Sequence, residues 1–411
     1  MNKETPVHAP TLGFGISDHV LTIGGIPVTQ LAERVGSTPY FAYDRALITA
    51  RVAALRAALP PEVKLHYAIK ANPMPAVVQH LAGLVDGLDV ASAGEMKVAL
   101  DSPMPAREIS FAGPGKTQAE LSQAVAAGII INLESFTEME SVARICRAQG
   151  QRARLAIRVN PDFELKTSGM RMSGGSKPFG VDAEKVPAML ARMGKLDLDF
   201  WGFHIFSGSQ NLREEAISEA QEKAIDLAIE LSKSAPRAPR IVNIGGGFGI
   251  PYFPGDMRLS LDNIGKRLGE LLPKAKAELP EAEIVIELGR YIVGEAGVYI
   301  SRVVDRKESR GQIFLVTDGG LHHQLSASGN FGQVIRKNYP VAIANRMDLP
   351  AAEKIDIVGC LCTPLDRLGD HVMLPRGEIG DLIAVFQSGA YGLTSSPTAF
   401  LGHPAPVEIL V

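Results

Sequence analysis

The sequence predicts an α/β protein, with a (β/α)8 TIM barrel followed by a mostly β C-terminal domain. Short apolar runs rich in β-branched residues alternate with helical patterns from about residue 44 to residue 291. After residue 291 the helical spacing fades, and strand-like runs separated by turn residues take over. The chain has 411 residues, of which 46% are hydrophobic, so it is long enough for two domains.

Eight apolar runs are candidate barrel strands. In chain order they are KLHYAIK, DGLDVAS, EISFAGP, IIINLES, RLAIRVN, FWGFHIF, RIVNIGG and EIVIELG. The segments between them include AQEKAIDLAIELSKSA, whose apolar spacing fits one face of a helix. Eight such repeats indicate a TIM barrel, in which the C-terminal strand ends hold the functional residues. A doubly wound parallel sheet has the same periodicity and stays open as an alternative.

The change of pattern near residue 290 predicts the domain organisation. Residues 44–291 are predicted to form the barrel, and residues 1–43 together with 292–411 the β domain. The candidate strands of the β domain are VYISRVVDRK, QIFLVTDGG, KIDIVGCLC and DLIAVFQSGAYG. Two more possible strands lie in LTIGGIPVTQLAERVGSTPYFAYD, near the N-terminus.

Composition narrows the class of partner. The net charge is −3, so neither nucleic acid nor an anionic membrane is an expected partner, whereas small molecules or proteins are. Three cysteines in so long a chain argue against a disulfide framework and fit a reducing cytoplasm. MNKETPVHAPTLGFG lacks the apolar region of a signal peptide, and no stretch is apolar enough to span a membrane. We expect a cytoplasmic protein.

Lysine and glutamate residues at strand ends are candidate functional groups. Lys70 closes LHYAIK, where desolvation can lower the pKa of an amine enough for it to form a Schiff base with an aldehyde. A surface lysine that opens a loop is the alternative. Glu287 and Arg290 end the last barrel strand; a carboxylate there needs a cation or a protonated ring nitrogen, and the arginine suits a phosphate. A mutual ion pair in the barrel wall is the alternative for these two residues.

Three consecutive glycines follow the strand in INIGGGFGIPYF. Gly245, Gly246 and Gly247 let backbone N–H groups approach an anion closely, although a tight connection would also use them. The dinucleotide-binding fingerprint is excluded because Ile250 stands at its third glycine. GPGKT, at 113 to 117, is not a Walker loop because Ser110 stands at its first glycine.

Cysteines and histidines complete the candidates. Cys360 and Cys362 are two apart, so on a strand they would face the same side; one is a candidate proton donor, and buried structural thiols are the alternative. CxC without a further cluster does not indicate zinc, and His322 and His323 lack a metal spacing, so we predict loop residues and no metal site.

Seven motifs occur together and in order along nearly the whole chain. They are HYAIKAN, LDVASAGEM, HIFSGSQ, NIGGGFG, ELGR, CLCTPLD and SGAYG. This set resembles the pyridoxal-phosphate-dependent decarboxylases of the alanine-racemase-like fold, which include the ornithine, arginine and diaminopimelate decarboxylases. The resemblance implies that Lys70 holds pyridoxal 5'-phosphate as a Schiff base.

The resemblance also implies the other roles. Asp89 and Glu95 would lie near the Schiff base, Arg158 near the ring and His204 on the ring face, while Glu287 would pair with the pyridine nitrogen. Cys362 would be supplied by the second subunit of a homodimer and protonate the product carbon. The phosphate would be held by six residues, Ser207, Gly245, Gly246, Gly247, Arg290 and Tyr391.

Two departures bear on the substrate. Thr363 follows the family cysteine, where the ornithine and diaminopimelate enzymes have an acid that reads a distal amine. The diaminopimelate group also has an Arg-Pro pattern with a following tyrosine, and Arg336 and Tyr339 do not have that spacing. The chain instead resembles a biosynthetic subgroup that includes the butirosin-pathway decarboxylase of carrier-tethered glutamate and the exosortase-associated decarboxylases. We therefore expect an α-decarboxylase of an amino acid, free or bound to a carrier protein.

Other functions stay open at this stage. A diaminopimelate or other free basic amino-acid decarboxylase is one alternative. A racemase of the same fold would need an arginine at the pyridine nitrogen, where this chain has Glu287. A cofactor-carrying protein of related single-barrel fold would lack the C-terminal β domain.

Overall fold

A computed structural model describes residues 6–11, 13–163, 170–171, 175–331, 333 and 335–411. The chain divides into two compact units. The first comprises Met1–Ala50, Pro251–Arg258 and Ile292–Val411, and the second Arg51–Ile250 and Leu259–Tyr291. Within the described residues, no helix is both long enough and apolar enough to cross a membrane. Residues 1–5 of the N-terminal stretch lie outside the described residues.

The strands of the described residues are numbered in chain order. They are β1 (Gly15–Ser17), β2 (Val20–Ile23), β3 (Ile26–Pro27), β4 (Tyr40–Tyr43), β5 (Lys64–Ala68), β6 (Gly87–Val90), β7 (Ile109–Phe111), β8 (Ile130–Leu133), β9 (Arg154–Asn160), β10 (Met170–Arg171), β11 (Val181–Asp182), β12 (Asp199–Ile205), β13 (Gly208–Ser209), β14 (Ile241–Gly246), β15 (Glu283–Leu288), β16 (Gly297–Ser309), β17 (Gln312–Thr317), β18 (Val341–Ile343), β19 (Glu353–Val358), β20 (Arg367–Leu374), β21 (Leu382–Val385) and β22 (Val407–Leu410).

The α-helices are numbered in the same way. They are α1 (Val28–Val35), α2 (Arg45–Ala58), α3 (Pro75–Ala82), α4 (Ala93–Leu100), α5 (Gln118–Ala127), α6 (Phe136–Gln149), α7 (Val186–Lys195), α8 (Glu214–Ser232), α9 (Leu261–Glu278) and α10 (Arg290–Val293).

The second unit contains a closed parallel barrel. Its strand order is β9-β12-β14-β15-β5-β6-β7-β8, and β8 pairs with β9 to close the ring. Every pairing around the ring is parallel, and the strands carry almost continuous buried apolar side chains, as expected of strands covered on both faces. All eight predicted barrel strands are present. The barrel prediction is confirmed, and closure excludes the doubly wound alternative.

Local sequence signals explain how the helices around the barrel begin and end. Thr117 caps α5 and forms a reciprocal capping box with Glu120, so the end of GPGKT starts a helix. Lys116 of the same stretch forms a buried ion pair with Glu138, at 2.6 Å. Its amine is therefore paired within the protein, which is consistent with the conclusion that GPGKT is not a Walker loop. α5 ends at Gly128, which adopts the left-handed conformation that favours glycine.

The first unit is mostly β, as predicted. Its larger sheet contains the path β18-β21-β16-β17-β19-β20, and β4 pairs with both β16 and β22. The predicted strands correspond to β16, β17, β19 and β21, while β18, β20 and β22 were not predicted. Part of the core lies under β4, β16 and β21, where Tyr40, Val298 and Leu382 pack with residues of β2 and α1. The domain boundary that the sequence predicts after residue 291 remains a prediction.

Two local predictions were wrong. Lys70 is not on a strand, because β5 ends at Ala68 and Lys70 lies in a 3-10 turn, Ile69–Ala71. Cys360 and Cys362 are also not on a strand, because β19 ends at Val358.

Candidate active site

Side chains from successive barrel strands line a cavity of about 200 Å³ in the second unit. Most of the lining follows or ends β5, β6, β7, β9, β12 and β15, at their C-terminal ends. The lining residues are Lys70, Asp89, Val90, Ala91, Ala112, Gly113, Pro114, Arg158, Phe179, His204, Phe206 and Glu287. Five of the predicted site residues are therefore close together although they are far apart in sequence: Lys70, Asp89, Arg158, His204 and Glu287. This is expected of a barrel, in which the C-terminal ends of all the parallel strands meet at one rim.

Lys70 enters this cavity from the turn after β5. Its Nζ lies 3.5 Å from Oε1 of Glu287 and 5.5 Å from the centre of the Phe206 ring. The Tyr67 hydroxyl donates to the carbonyl oxygen of Asn72 at 2.9 Å, across the turn. This bond ties the two ends of the turn together, so the amine is presented from a fixed segment of backbone.

Glu287 is a buried carboxylate that accepts from two neighbouring strands. Nε2 of His204 lies 3.1 Å from its Oε2, and the Asn243 amide donates to the same oxygen at 3.4 Å. Burial alone would raise the pKa of Glu287, but the charge of Lys70 and the hydrogen bond with His204 hold the pKa well below its usual range. The cavity therefore contains a fixed negative charge.

A chain of polar side chains crosses four neighbouring barrel strands. Asp89 Oδ1 accepts from the Ser110 hydroxyl and lies 3.3 Å from Nδ1 of His66, while Asn132 donates to Ser110 at 3.2 Å. Burial alone would lower the pKa of His66, but the Asp89 carboxylate raises it above its usual value. Among the described residues, Oδ2 of Asp89 has no hydrogen-bond partner.

Glu134 is a site residue that sequence reasoning missed. It follows β8, accepts from Arg158 at 3.0 Å and also accepts from the backbone N–H groups of Gly113 and Gly180. Burial would raise the pKa of Glu134, but Arg158 and other donors hold it below its usual range. The sequence held a signal for this residue, because Glu134 follows the apolar run IIINL just as Glu287 follows the apolar run IVI. Arg158 also lies 5.1 Å from the Phe179 ring.

The three consecutive glycines do not all follow the strand, as the sequence suggested: Gly245 and Gly246 end β14 and Gly247 comes next. This segment is called the glycine turn below, and its conformation favours glycine. Gly245 and Gly247 both have φ of +72°, a backbone conformation that favours glycine. A Cβ on Gly246 would overlap the carbonyl oxygen of Glu287. The Asn243 side chain accepts from the N–H of Gly245 at 2.8 Å, so one asparagine contacts both the glycine turn and Glu287.

The remaining predicted residues of the second unit lie on adjoining segments. Ser207 is buried and follows β12, and Arg290 begins α10 directly after β15. Glu95 lies in the first turn of α4, where its Oε2 accepts from the N–H of Ala91 at 2.7 Å. Burial raises the pKa of Glu95, although that N–H and Lys70 oppose the shift.

Cys362 and Tyr391 belong to the first unit. In the turn after β19, the Asp366 carboxylate accepts from the N–H of Leu361. The two thiols beside Leu361 differ in environment, because Cys360 is half-buried and Cys362 is exposed. Tyr391 has φ of +52°, and its carbonyl oxygen accepts from the Ser326 and Ser395 hydroxyls. The two residues thus lie in loops of the β unit, since β21 ends at Val385, before Tyr391.

Residues 45–294 match the family model described as "Pyridoxal-dependent decarboxylase, pyridoxal binding domain". The match covers more than half of the chain. The chain belongs to the pyridoxal-dependent decarboxylases. As a family member it is a carboxy-lyase that uses pyridoxal phosphate and acts on an amino acid, so the predictions of decarboxylase class and cofactor are confirmed.

Relatives of this decarboxylase extend over nearly its full length. An L-glutamyl-(acyl-carrier protein) decarboxylase from Niallia circulans is 36% identical over 93% of this chain and 90% of the relative. A diaminopimelate decarboxylase from Aquifex aeolicus is 34% identical over 96% of this chain and 91% of the relative. The crystal structure of a diaminopimelate decarboxylase from M. jannaschii in complex with L-lysine has a TM-score of 0.87 at 27% identity. It covers 98% of this chain and 93% of that chain.

The cavity of this decarboxylase has the features that pyridoxal phosphate requires. The glycine turn does not line the cavity, but it ends β14, the strand beside β15 and Glu287, and glycines at a strand end let backbone approach a phosphate. Two buried polar atoms, Nδ1 of His204 and Oδ2 of Asp89, have no partner among the described residues. Glu287 supplies a buried negative charge for a cationic ring. The residues present therefore fit the cofactor.

Proposed function

We propose that this enzyme removes the α-carboxylate of an amino acid presented on an acyl carrier protein, with glutamyl as the substrate class. The observation that carries this proposal is Thr363, which follows Cys362 where a basic substrate would need an acid. The Thr363 hydroxyl accepts from the N–H of Leu365 at 3.3 Å, and its own N–H donates to Leu361 at 2.8 Å. A neutral residue engaged in a turn offers no countercharge to a distal ammonium group.

Arg336 supports the same substrate class. A free diaminopimelate substrate would require a cation to bind its distal carboxylate. The Arg336 guanidinium donates to the carbonyl oxygens of Ser328, at 2.7 Å, and Arg367, at 2.9 Å. These contacts direct its donors toward the backbone of its own unit. A thioester in place of the free carboxylate would not need such a cation.

The barrel residues are assigned roles in α-decarboxylation. When bound, pyridoxal phosphate supplies an aldehyde that captures amines and a ring that accepts the electrons of the breaking carbon–carbon bond. Lys70 provides the amine that holds the cofactor. Glu287 would supply the negative charge that keeps the ring nitrogen protonated, and His204 would contact the ring. Asp89 and Arg158 orient the remaining ring substituents.

The phosphate is assigned to the glycine turn and its neighbours. Gly245, Gly246 and Gly247 are assigned to it because glycine lets the backbone approach an anion closely. The N–H of Gly245 donates to Asn243, so the direct backbone donors would be those of Gly246 and Gly247. Ser207 adds a hydroxyl and Arg290 a positive charge from the adjoining segments. Tyr391 is assigned to the same anion by resemblance to the family.

Cys362 is assigned as the proton donor to the product carbon. A thiol transfers protons readily near neutral pH, and Cys362 is exposed on its own chain. By resemblance to the family, this thiol would enter the active site of a second subunit. We therefore include a homodimer with shared active sites in the proposal.

A substrate comparison tests the function. The holoenzyme is assayed for carbon dioxide release with glutamyl-loaded carrier protein, free glutamate, diaminopimelate, lysine and ornithine. We expect kcat/KM to be highest for the carrier-bound substrate. Highest turnover of free diaminopimelate or another free basic amino acid would contradict carrier presentation and favour the alternative substrate class. The relatives named as diaminopimelate decarboxylases make this alternative the second candidate.

A further inference from the structure

Two histidines and a cysteine converge in the first unit, in a group that the proposed reaction does not use. His322 follows β17, Cys360 follows β19, and His403 precedes β22. One ligand atom of each residue lies within 4.8 Å of the other two. Sγ of Cys360 is 3.8 Å from Nδ1 and 3.9 Å from Nε2 of His403.

His322 indicates that this group binds something. The residue is fully buried, at 0% exposure, and neither of its ring nitrogens has a hydrogen-bond partner among the described residues. A buried imidazole with both nitrogens unsatisfied is costly, because it loses its hydrogen bonds to water without replacing them. Its ring centre lies 3.6 Å from that of His323 and 5.2 Å from that of His403. A ligand between His322, Cys360 and His403 would satisfy one of these nitrogens.

The backbone next to two of the three residues is held by one carboxylate. Asp366 is 2% exposed and accepts from the N–H of Leu321, at 2.6 Å, and from the N–H of Leu361, at 2.9 Å. Leu321 precedes His322 and Leu361 follows Cys360, so Asp366 sets the spacing of these two segments. A Cβ on Gly320 or on Gly359 would overlap the Asp366 carboxylate. Both segments therefore have the small residue that this carboxylate needs.

The third segment is held by a neighbouring histidine. Nε2 of His323 lies 3.0 Å from the carbonyl oxygen of Pro404, the residue after His403. Nδ1 of His323 lies 3.0 Å from the Tyr299 hydroxyl, so both of its nitrogens are used. Outer partners that fix the segments carrying the ligands are a regular feature of metal sites.

We infer that His322, Cys360 and His403 bind a divalent metal ion of the zinc class. Two imidazole nitrogens and a thiolate are the donor set that zinc prefers, and soft donors select against magnesium and calcium. Typical Zn–S and Zn–N lengths in a tetrahedron place the sulfur about 3.6 Å from the coordinating nitrogen. Sγ of Cys360 is nearly equidistant from the two nitrogens of His403, at 3.8 and 3.9 Å, so the His403 ring must turn to direct one nitrogen at a shared metal ion. Binding replaces the Cys360 thiol proton by the metal and releases that proton to solvent. Three protein ligands leave a fourth position for water.

The site was not predicted from spacing because its ligands are far apart in sequence. His322 and Cys360 are 38 positions apart (360 − 322), and Cys360 and His403 are 43 apart. The expectation of no metal, which rested on local motifs, is replaced by this inference.

Metal content of the full-length holoenzyme tests the site. Tag-free protein produced with zinc is dialysed against metal-free buffer and analysed for metal and for bound pyridoxal phosphate. We expect one zinc per chain in the wild type, and zinc at background level in Cys360→Ser and His403→Gln that still bind the cofactor. Asp366→Asn should weaken zinc affinity about 10- to 100-fold, as is usual for loss of an outer partner. Cobalt substitution should give visible bands of tetrahedral intensity in the wild type but not in Cys360→Ser.

Two control variants should keep the metal. Cys146→Ser removes a cysteine of the second unit, and His371→Gln removes a histidine from a separate group with Asp356 and Asp370. The inference is overturned if dialysed wild-type protein contains no zinc. It is also overturned if Cys360→Ser and His403→Gln retain as much zinc as the wild type. If either variant is insoluble, the zinc affinity of Asp366→Asn is measured instead. An affinity equal to that of the wild type would count against the proposed metal site.

Discussion

Nε2 of His204 lies 3.1 Å from Oε2 of Glu287, although the two residues are on β12 and β15 with β14 between them. Asn243, on β14, donates to the same carboxylate oxygen at 3.4 Å. Three consecutive strands of the barrel therefore converge on one buried charge. Convergence of this kind fixes the position of the carboxylate before any ligand binds, and such preorganisation makes a buried charge effective.

Replacement of Glu287 by Gln should preserve shape and remove the charge. We expect kcat for carbon dioxide release to fall about 10²- to 10³-fold, the usual cost of losing one preorganised electrostatic group. Cofactor content should stay near one per chain. Glu283→Gln is the matched control, because Glu283 begins the same strand with its side chain 56% exposed. Unchanged kcat in Glu287→Gln would contradict the assigned role.

Replacement of Lys70 by Ala should abolish both activity and covalent attachment of the cofactor. Borohydride reduction followed by peptide mapping should attach pyridoxal phosphate to the peptide containing residue 70 in the wild type alone. Lys64→Ala serves as a comparison, since Lys64 begins β5, the strand before the turn that carries Lys70, and the two lysine side chains are equally exposed, at 41%. Normal turnover of Lys70→Ala would show that another amine holds the cofactor.

Replacement of Gly246 by Ala should damage the phosphate site through overpacking. The added methyl group would overlap the carbonyl oxygen of Glu287 across the β14–β15 pairing. We expect a loss of about 1–3 kcal/mol in unfolding free energy, together with weaker cofactor binding. Gly115→Ala should be tolerated, because Gly115 has open space around it and no positive φ. The measurements are denaturant unfolding and cofactor titration of both variants. Equal stability and equal cofactor affinity of the two variants would argue against a phosphate site at the glycine turn.

The pair of His66 and Asp89 should make stability depend on pH. The folded pKa of His66 is raised above the usual value of 6.5, so the folded state holds this proton more tightly than the unfolded chain. The resulting stability is complete below pH 6.5 and is lost as pH rises through the folded pKa. The difference in unfolding free energy between wild type and His66→Gln should therefore be larger at pH 6 than at about pH 9. In an Asp89→Asn background this pH dependence should shrink, because Asp89 is the largest of the carboxylate contributions that raise the pKa of His66. An unchanged pH dependence would show that Asp89 is not the main cause.

Mixing two inactive variants tests whether Cys362 acts across a dimer. Lys70→Ala and Cys362→Ala homodimers each lack one required group in both sites. After subunit exchange, half of the dimers are mixed and each mixed dimer has one complete site, so about a quarter of wild-type activity should return. Cys146→Ala, which changes a half-buried thiol of α6, should be active alone. No recovery despite verified exchange would place both residues in the same chain's site.

Strand identity and several strand-end residues could be predicted from the sequence because both depend on local pattern. The eight barrel strands follow from runs of β-branched and apolar residues, and Glu287 and His204 were found because each lies near the end of such a run. Glu134 obeys the same rule and could have been found in this way. Lys70 lines the cavity although the strand ends two residues earlier, because the turn after β5 still faces the cavity.

Which side chains meet was decided only by the tertiary structure. The sequence by itself determined the alternation of strands and helices, the three consecutive glycines and the family motifs, since each is carried by residues close together in the chain. Closure of the barrel between β8 and β9, the contact of His204 with Glu287, and the convergence of His322, Cys360 and His403 join residues far apart in sequence. Such contacts arise from the register and packing of whole strands, and no local pattern records them.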